Sequence, residues 1–311
     1  MLAPICLFTY NRLSETHQTV EALKHNYLAH ESELVIFSDG PKNENSLPKV
    51  EAVRQYLHSI SGFKSVKIIE SQENKGLANS IINGVSQIVE KYGKVIVIED
   101  DLISSPNFLS FMNQALDFYI HDKNIQSING YSLSLKDKSN DVYFQIRPFS
   151  WGWATWKDRW NIKIFNKEKL KSIINTNPSL LKAFKLKCGS DMPKMLLNSI
   201  DNINDSWYVR WAFDHFRYNR YSVFPTYSFI TNIGYNTEGT HCNGINTYTS
   251  EPVNHFKIVF DFLDFQSPDA KSSREFLYYF SWRYKISLRI KLLKSKTGRS
   301  LLLQEIRSRT A

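Results

Sequence analysis

The sequence predicts an α/β protein with a mostly parallel central sheet that is covered by helices on both faces. Short apolar runs alternate with longer amphipathic segments through the first third of the chain, a pattern typical of βα repeats. The apolar runs are continuous, as expected for strands buried on both faces. With 311 residues, 42% of them hydrophobic, the chain can bury a large core in one domain or in one domain with a smaller annex.

Four strands and three helices are predicted before the middle of the chain. Ser14 is the predicted N-cap of the first helix. Because ligands of such sheets bind beyond the carboxyl ends of the strands, the residues that follow each strand form the candidate site. The predicted strands are 4–9, 34–37, 66–69 and 95–98, and the predicted helices are 14–29, 48–60 and 76–91.

The second half of the chain is less regular. A helix is predicted from Pro106 to about residue 121, followed by strands at 127–131 and 142–147. Helical stretches then extend to about residue 218, before a loop-rich segment with short strands. No internal repeat or low-complexity linker divides the chain, so both halves are expected to be continuous.

Charge is concentrated at one end of the chain. Of the net charge of +9, residues 282–311 carry +8, since nine Lys or Arg side chains there accompany a single Glu. The nearly neutral remainder does not indicate bulk nucleic-acid binding.

Cysteine usage and hydropathy bear on the compartment. Three widely spaced cysteines without a CxxC pair argue against a disulfide framework or structural zinc and indicate a reducing environment. The first residues lack the basic region of a signal peptide, and no stretch approaches the roughly 20 apolar residues that span a bilayer. A cytoplasmic protein, or one peripheral to the inner face of a membrane, is expected.

Three acidic residues, Glu99, Asp100 and Asp101, directly follow the predicted strand 95–98. Carboxylates at the end of a buried strand are costly unless a cation or proton donor meets them. A divalent cation bound to a diphosphate would be such a partner, and hard oxygen ligands suit Mn²⁺ or Mg²⁺. The alternative is an acidic loop that caps the next helix.

The segment VIVIEDDLISSPNFLSFMNQAL resembles the metal-binding strand and following helix of the N-acetylglucosaminyltransferase I family and of similar bacterial sugar transferases. The resemblance implies the GT-A fold, a Rossmann-like αβα sandwich that binds a nucleotide-sugar and carries a mixed α+β acceptor region. It covers residues 3–130 with specific motifs and continues more loosely to about 241.

The domain organisation follows from this resemblance. Residues 1–130 are expected to bind the donor, and residues 131–260 to form the acceptor-binding, catalytic half of the same domain. Residues 261–311 are expected to be a C-terminal extension with a basic helix.

The same resemblance implies roles for the acidic triplet and the loop after the first strand. Asp101 would hold the metal, Asp100 would contact the ribose or a metal-bound water, and Glu99 would contact hydroxyls of the donor sugar. The segment from Thr9 through Asn11 to Arg12 is similar to the family's loop in which an arginine holds the nucleotide.

Two further donor contacts are implied. Asp39 resembles the acid that accepts a hydrogen bond from the uracil imide, and Asn74–Asn79 resembles the loop and helix start that lie along the donor. A helix N-terminus beside Lys75 would also favour phosphate on physical grounds. Each of these residues could instead be an ordinary turn or helix-entry residue.

An aromatic segment at 148–156 resembles the family's glycine-tryptophan loop near the donor sugar and acceptor. Gly152 would let the backbone approach a ligand, while Trp151 and Trp153 would stack on apolar sugar faces. The alternative is a core aromatic cluster, which is the interpretation favoured for Trp156 and Trp160.

The catalytic base is the least specific part of the resemblance. Asp205 matches the base of a Trp-Asp-Asp-Trp segment, but Asn and Ser replace two of its flanking residues, and Asp205 could instead be a helix N-cap. Asp214 is the reserve candidate. His241 lies in a late loop that resembles one closing over the donor, where it could be a second metal ligand.

The function that these residues imply is a metal-dependent, inverting hexosyl- or N-acetylhexosaminyltransferase. It would use a UDP-sugar donor and a glycan or lipid-linked glycan acceptor in surface polysaccharide or glycoconjugate synthesis. The alternatives are a catalytically inactive carbohydrate- or nucleotide-binding module, a nucleotidyltransferase and an RNA-binding protein. The absence of glycine from FTYNRLSET disfavours the nucleotidyltransferase, and the neutral body disfavours RNA binding.

The basic tail predicts one further helix, from Trp282 to about residue 303. Apolar residues recur there at helical spacing and are surrounded by Lys and Arg. Such a helix could lie on an anionic membrane surface, or could pack on the domain with its basic residues in water.

Overall fold

The fold is an α/β sandwich built on an eight-stranded sheet, as seen in a computed structural model that describes residues 1–234, 254–296, 298–300 and 302. The described strands are β1 Ile5–Thr9, β2 Glu33–Ser38, β3 Ser65–Glu70, β4 Lys94–Glu99, β5 Leu102–Ser104, β6 Ile125–Asn129, β7 Val142–Gln145, β8 Trp153–Trp156, β9 Tyr221–Pro225 and β10 Ile230–Asn232. The described helices are α1 Leu13–Lys24, α2 Leu47–Leu57, α3 Gly76–Tyr92, α4 Phe108–Phe118, α5 Lys167–Thr176, α6 Ser179–Cys188, α7 Met192–Ile200, α8 Trp207–Arg217, α9 Ala270–Tyr278 and α10 Trp282–Leu293.

The strand order is β3-β2-β1-β4-β8-β6-β9-β7. The first four strands are mutually parallel, which confirms the α/β prediction, whereas β8 is antiparallel to both of its neighbours. A small two-stranded sheet joins β5 to β10. The larger sheet thus passes without a break from the first half of the chain into the second.

Alternation along the strands divides the core into two layers. In β1, Ile5 and Leu7 face one apolar cluster, while Cys6 and Phe8 face the other. The first layer is covered mainly by α1, α2 and α4, and the second by α3 and a group of tryptophans. Cys6 is a buried free thiol.

The third helix shows how local sequence and packing agree. α3 buries its apolar face, and it ends at Gly93, which has a φ of 78° and donates its N–H to the Val89 carbonyl oxygen. A left-handed residue is compatible with glycine and closes the helix beneath the start of β4.

The predicted N-cap of the first helix is wrong. α1 begins at Leu13, so Arg12 is the N-cap residue and Ser14 lies exposed in the first turn. The helix also ends at Lys24, short of residue 29, and the Asn26 amide just beyond it donates to the Ser104 hydroxyl at 2.9 Å.

The segment at 148–156 was expected to be a loop, but its last four residues form β8 between β4 and β6. All four are buried. Burial of this aromatic run stabilises an antiparallel strand inside the sheet, so the predicted donor and acceptor halves share one hydrogen-bonded surface.

The C-terminal helices differ in burial. α9 inserts a fully buried Phe276 among the rings of Tyr143, Phe149 and Phe224, whereas α10 has no buried residue. No helix in the described part of the chain is long and apolar enough to cross a membrane.

Candidate active site

The candidate site lies where β1, β2 and β4 end side by side. The strand register places Phe8 opposite Glu99 and Thr9 opposite Ser38, and the Thr9 carbonyl accepts the Asp39 N–H at 3.0 Å. The loops that carry the predicted donor-binding residues therefore meet at one edge of the sheet, as their positions after parallel strands require.

An arginine bridges two of the three acids. One Arg12 amino group bonds Asp100, and the other lies 3.1 Å from an Asp101 carboxylate oxygen. The Thr19 hydroxyl donates to the Asp100 carbonyl at 2.9 Å, and the Tyr10 N–H reaches its carboxylate at 3.4 Å. The loop after β1 is thus tied to the loop after β4.

The electrostatics of this cluster favour a further cation. Burial, reinforced by Asp101 and Asp100, raises the pKa of Glu99 to about 8. Burial also raises the pKa of Asp100 to about 6, although the Arg12 charge opposes the rise. Arg12 supplies a single positive charge beside the three carboxyl groups, so a divalent cation would favour the ionised form of all three.

The described residues do not by themselves form a complete metal site. No group of three His, Cys, Asp or Glu side chains that could hold a metal ion occurs in the described ranges. Asp101 and its acidic neighbours offer hard oxygen atoms, so they fit part of a Mn²⁺ or Mg²⁺ shell whose remaining ligands would come from a diphosphate. His241, the predicted second ligand, lies outside the described residues, and its role stays a prediction.

A glycine outside the predicted site residues lies close to the Asp101 carboxylate. The Ile233 N–H donates to the Asp101 carbonyl at 2.9 Å, which brings Gly234 against the carboxylate. A Cβ on Gly234 would lie 2.1 Å from an Asp101 carboxylate oxygen. The only sequence signal was a glycine in a loop, because the pairing of β5 with β10 is a tertiary feature.

Asp39 has a different set of partners from the predicted one. Its carboxylate accepts hydrogen bonds from the N–H groups of Gly40, Lys75 and Gly76 at 2.8–3.0 Å, and from the Asn74 amide at 3.1 Å. A carboxylate has about four acceptor positions, and these four donors fill them. Asp39 therefore anchors the start of α3, and no position is left for a uracil imide.

The same contacts determine which groups at the α3 N-terminus are available to a phosphate. The Lys75 and Gly76 N–H groups point at Asp39, so they are not available to a phosphate. The Lys75 side chain itself is exposed. Phosphate binding by this loop can therefore depend on the lysine ammonium, but not on these two backbone groups.

The remaining donor-loop residues lie at the expected edge. Thr9 is buried, and its hydroxyl has no hydrogen-bond partner in the described part of the chain. Asn11 is partly exposed beside Arg12. The nucleotide contacts of both residues stay predictions.

The aromatic segment divides into one accessible and one buried indole. Trp153 has no exposed surface and packs against Trp207 and Trp211, with ring centroids 5.3 and 4.4 Å away. The prediction that Trp153 stacks on a sugar is therefore wrong, since its indole is a core side chain. Trp151 is partly exposed, and its ring centroid lies 4.6 Å from that of Tyr131 in a T-shaped contact; its stacking on a sugar stays a prediction.

Gly152 is required by packing rather than by ligand approach. It has a φ of 61°, and a Cβ would lie 2.7 Å from the Ile230 side chain. Its carbonyl accepts the Gly130 N–H at 2.6 Å. The predicted role in admitting a ligand is therefore wrong, because Ile230 occupies the space that the missing side chain leaves.

The two candidate bases lie in contrasting surroundings. Asp205 is half-exposed and its carboxylate lies 3.1 Å from Arg210 and 3.4 Å from Lys167. It is not the N-cap of α8, because the Ser206 hydroxyl accepts the Val209 N–H instead.

Asp214, the reserve base, is unsuited to that role. It is 2% exposed, accepts from the Gln126 amide at 2.7 Å, and has a pKa raised by burial to about 6. Gln126 lies near the start of β6, whereas the site lies at the other end of that strand. An acceptor hydroxyl cannot reach a carboxyl buried there.

A groove lies beside Asp205. It has a volume of about 720 Å³ and runs between the first turn of α3, the start of α5 and the loop before α8. Its lining is mostly polar and includes Asn79, Lys167 and Asn204.

The parallel βα half-sheet, with its arginine-held acidic cluster at the end of β4, defines a glycosyltransferase of the GT-A fold. The chain belongs to glycosyl transferase family 2, whose family model matches residues 5–176. The narrower resemblance to the N-acetylglucosaminyltransferase I family is not confirmed by this match.

Similar solved structures include two glycosyltransferases of low sequence identity. The mannosyltransferase PcManGT from Pyrobaculum calidifontis, in complex with GDP-Man and Mn²⁺, is 12% identical, with a TM-score of 0.35 over 50% of this chain and 44% of that one. TarS 1–349 from S. aureus is 11% identical, with a TM-score of 0.42 over 75% and 61%. The chain thus spans less than two thirds of either structure, and no curated protein matches it.

The two tryptophans provide a matched pair of variants. Trp153→Ala should lower the free energy of unfolding by about 3–5 kcal/mol, because it leaves a cavity in the core. Trp151→Ala should cost less stability but reduce donor-dependent turnover. Urea denaturation and turnover assays measure both effects, and equal stability losses in the two variants would contradict the assignment.

Gly234→Ala should reduce turnover at least tenfold while the protein stays folded, because the new Cβ must displace the Asp101 carboxylate. Thr231→Ala, at an exposed position on the preceding strand β10, is the control and should leave turnover unchanged. Activity and melting temperature are measured together. Wild-type turnover in Gly234→Ala would show that the position of Asp101 is not critical.

Proposed function

We propose that this chain is a metal-dependent, inverting glycosyltransferase that moves a hexosyl or N-acetylhexosaminyl group from a UDP-sugar. The acceptor is a glycan or a lipid-linked glycan, in surface polysaccharide or glycoconjugate synthesis. The observation that carries the proposal is the cluster of Arg12 with Asp100 and Asp101 at the end of β4. Family membership supports glycosyl transfer and a nucleotide-sugar donor.

Within this proposal, Asp101 holds a Mn²⁺ or Mg²⁺ ion together with the donor diphosphate. A bound divalent cation neutralises charge that develops on the departing nucleoside diphosphate. Arg12 keeps the Asp100 carboxylate ionised and fixes the loop after β1 against it. Glu99, whose pKa is raised by burial, is suited to donate or accept a hydrogen bond at a sugar hydroxyl.

The uridine preference depends on the sequence resemblance alone, since Asp39 has no acceptor position left for the base. A guanine or thymine nucleotide therefore belongs in any test of the donor. Asp39 anchors the start of α3, and in this proposal the exposed Lys75 there lies near the donor diphosphate.

Asp205 is the proposed base that takes the proton of the acceptor hydroxyl during attack at the anomeric carbon. Its half-exposed carboxylate lines the groove beside α3, where an acceptor glycan has room. Lys167 and Arg210 hold the carboxylate in place.

The proposed location is cytoplasmic and peripheral on the inner face of a membrane. A lipid-linked acceptor presented at that surface would meet a nucleotide-sugar donor from the cytoplasm. The halves of the domain proposed for donor and acceptor, residues 1–130 and 131–260, meet along β4 and β8.

Asp101→Asn should abolish metal-dependent donor binding while preserving side-chain size. The measurement is thermal melting with UDP-, GDP-, CMP- and dTDP-sugars, each with and without Mn²⁺, since a ligand of the native state raises the melting temperature. One UDP-sugar should give a shift that requires the metal in the wild type.

Asp117→Asn is the control for this experiment, because Asp117 is an exposed acid that pairs with Lys94 away from the site. It should behave as the wild type. A metal-dependent shift that survives Asp101→Asn would refute the metal assignment, and the absence of a shift for every nucleotide in the wild type would contradict the proposed function.

Asp205→Asn should retain the donor-induced shift but lower transfer at least a hundredfold, in the range that a general base contributes. Asp201→Asn is the matched control, because Asp201 is an exposed acid close to Asp205 in the sequence and pairs with Lys171. Single-turnover transfer measures the chemical step. Transfer at the wild-type rate in Asp205→Asn would assign the base to another residue.

A further inference from the structure

The C-terminal helix α10 has apolar side chains on two opposite faces. On one face Tyr284, Leu288 and Leu292 are partly buried, and the Tyr284 ring lies 5.5 and 4.8 Å from the rings of Tyr278 and Tyr279. Through Tyr284, this face contacts the end of α9.

The opposite face is apolar but open. Its residues recur at spacings of four, four and three, which places them in one stripe along the helix. Between about half and two thirds of each side chain is exposed: Trp282 64%, Ile286 48%, Ile290 54% and Leu293 54%. Packing on the domain, one of the two alternatives for this helix, would therefore involve a different face from contact with a membrane, the other alternative.

Basic side chains border the open stripe on both sides. At 100° per residue, Arg283 and Lys294 fall along one margin and Lys285 and Arg289 along the other. No acidic residue occurs between Trp282 and Ser300. The exposed surface is thus an apolar strip with positive margins and no negative charge.

We propose that this outer stripe, Trp282, Ile286, Ile290 and Leu293 with its four flanking cations, docks flat on an anionic lipid bilayer. The apolar side chains enter the acyl boundary, and the basic margins meet anionic headgroups. Trp282 is suited to the interface because its indole has an apolar body and a polar N–H. A planar negative surface with an apolar interior matches an apolar strip that has cations on both margins.

Contacts at the base of this extension connect it to the candidate site. Phe280, between α9 and α10, lies 5.8 Å from the Phe149 ring, and the Arg147 guanidinium lies 3.5 Å from the Phe280 ring centroid. Phe149 is in turn 5.8 Å from the ring of Trp151. Membrane docking would therefore hold the Trp151 segment at a fixed relation to the lipid surface.

This second consequence rests on the proposed function. If the chain transfers a sugar to a lipid-linked acceptor, docking through α10 raises the local acceptor concentration at the site. The docking itself requires only the surface described above.

The test compares the full-length chain with Ile286→Asn/Ile290→Asn, which makes the stripe polar but keeps every cation. Co-sedimentation uses vesicles of phosphatidylcholine with 30% phosphatidylglycerol, in ~0.1 M salt where surface charges still attract, and vesicles of phosphatidylcholine alone. We expect binding of the wild type to anionic vesicles and at least a tenfold loss in the double variant. Leu186→Asn/Ile120→Asn, at exposed apolar positions elsewhere, should bind as the wild type.

Two controls separate the possible outcomes. Ile286 and Ile290 are both half-exposed, so the melting temperature of Ile286→Asn/Ile290→Asn should equal that of the wild type. Its donor hydrolysis without vesicles should also equal that of the wild type. Failure of hydrolysis in every protein would contradict the proposed function but leave vesicle binding unaffected.

Three results would overturn the docking proposal. They are absence of wild-type binding to anionic vesicles, equal binding by Ile286→Asn/Ile290→Asn, and a dimer in sedimentation equilibrium that this variant converts to monomer. The last result would assign the stripe to a second copy of the chain.

Discussion

The bridge from Arg12 to Asp100 and Asp101 is the interaction on which the site depends. Three carboxylates at the end of a buried strand are costly, and one guanidinium offsets only part of that cost. The arginine also marks the start of α1, because its carbonyl accepts the Thr16 N–H at 2.9 Å. Arg12 therefore both offsets the charge of the acids and forms the first βα turn. A divalent cation would bind to the negative charge that remains.

A second constraint is the insertion of β8 beside β4. This strand comes from the second half of the chain, yet it completes the sheet of the first half, and Trp153 seals one layer with Trp207 and Trp211. Since β8 follows directly after Trp151 and Gly152, the partly exposed indole is positioned by a buried strand. The Trp151 segment is thus anchored to the core.

Backbone contacts position the other parts of the site. Asp39 receives four hydrogen bonds that hold the start of α3, and Gly234 allows β10 to approach the Asp101 carboxylate. Neither residue needs to touch a substrate to be required. The groove beside Asp205 lies against the first turn of the helix that Asp39 anchors, so the proposed donor and acceptor regions share this support.

Sequence alone determined the four parallel strands, the helices between them and the acidic cluster after β4, because periodicity and the position of charges at strand ends are local properties. The convergence of Arg12 with the acids could be expected, since carboxyl ends of parallel strands share one edge. Only the tertiary structure decided that Trp153 is a core residue, that Asp39 is fully bonded, that Asp214 is out of reach and that Gly234 touches Asp101. Burial and hydrogen-bond saturation depend on contacts between segments that are distant in the sequence, and local sequence patterns do not predict those contacts.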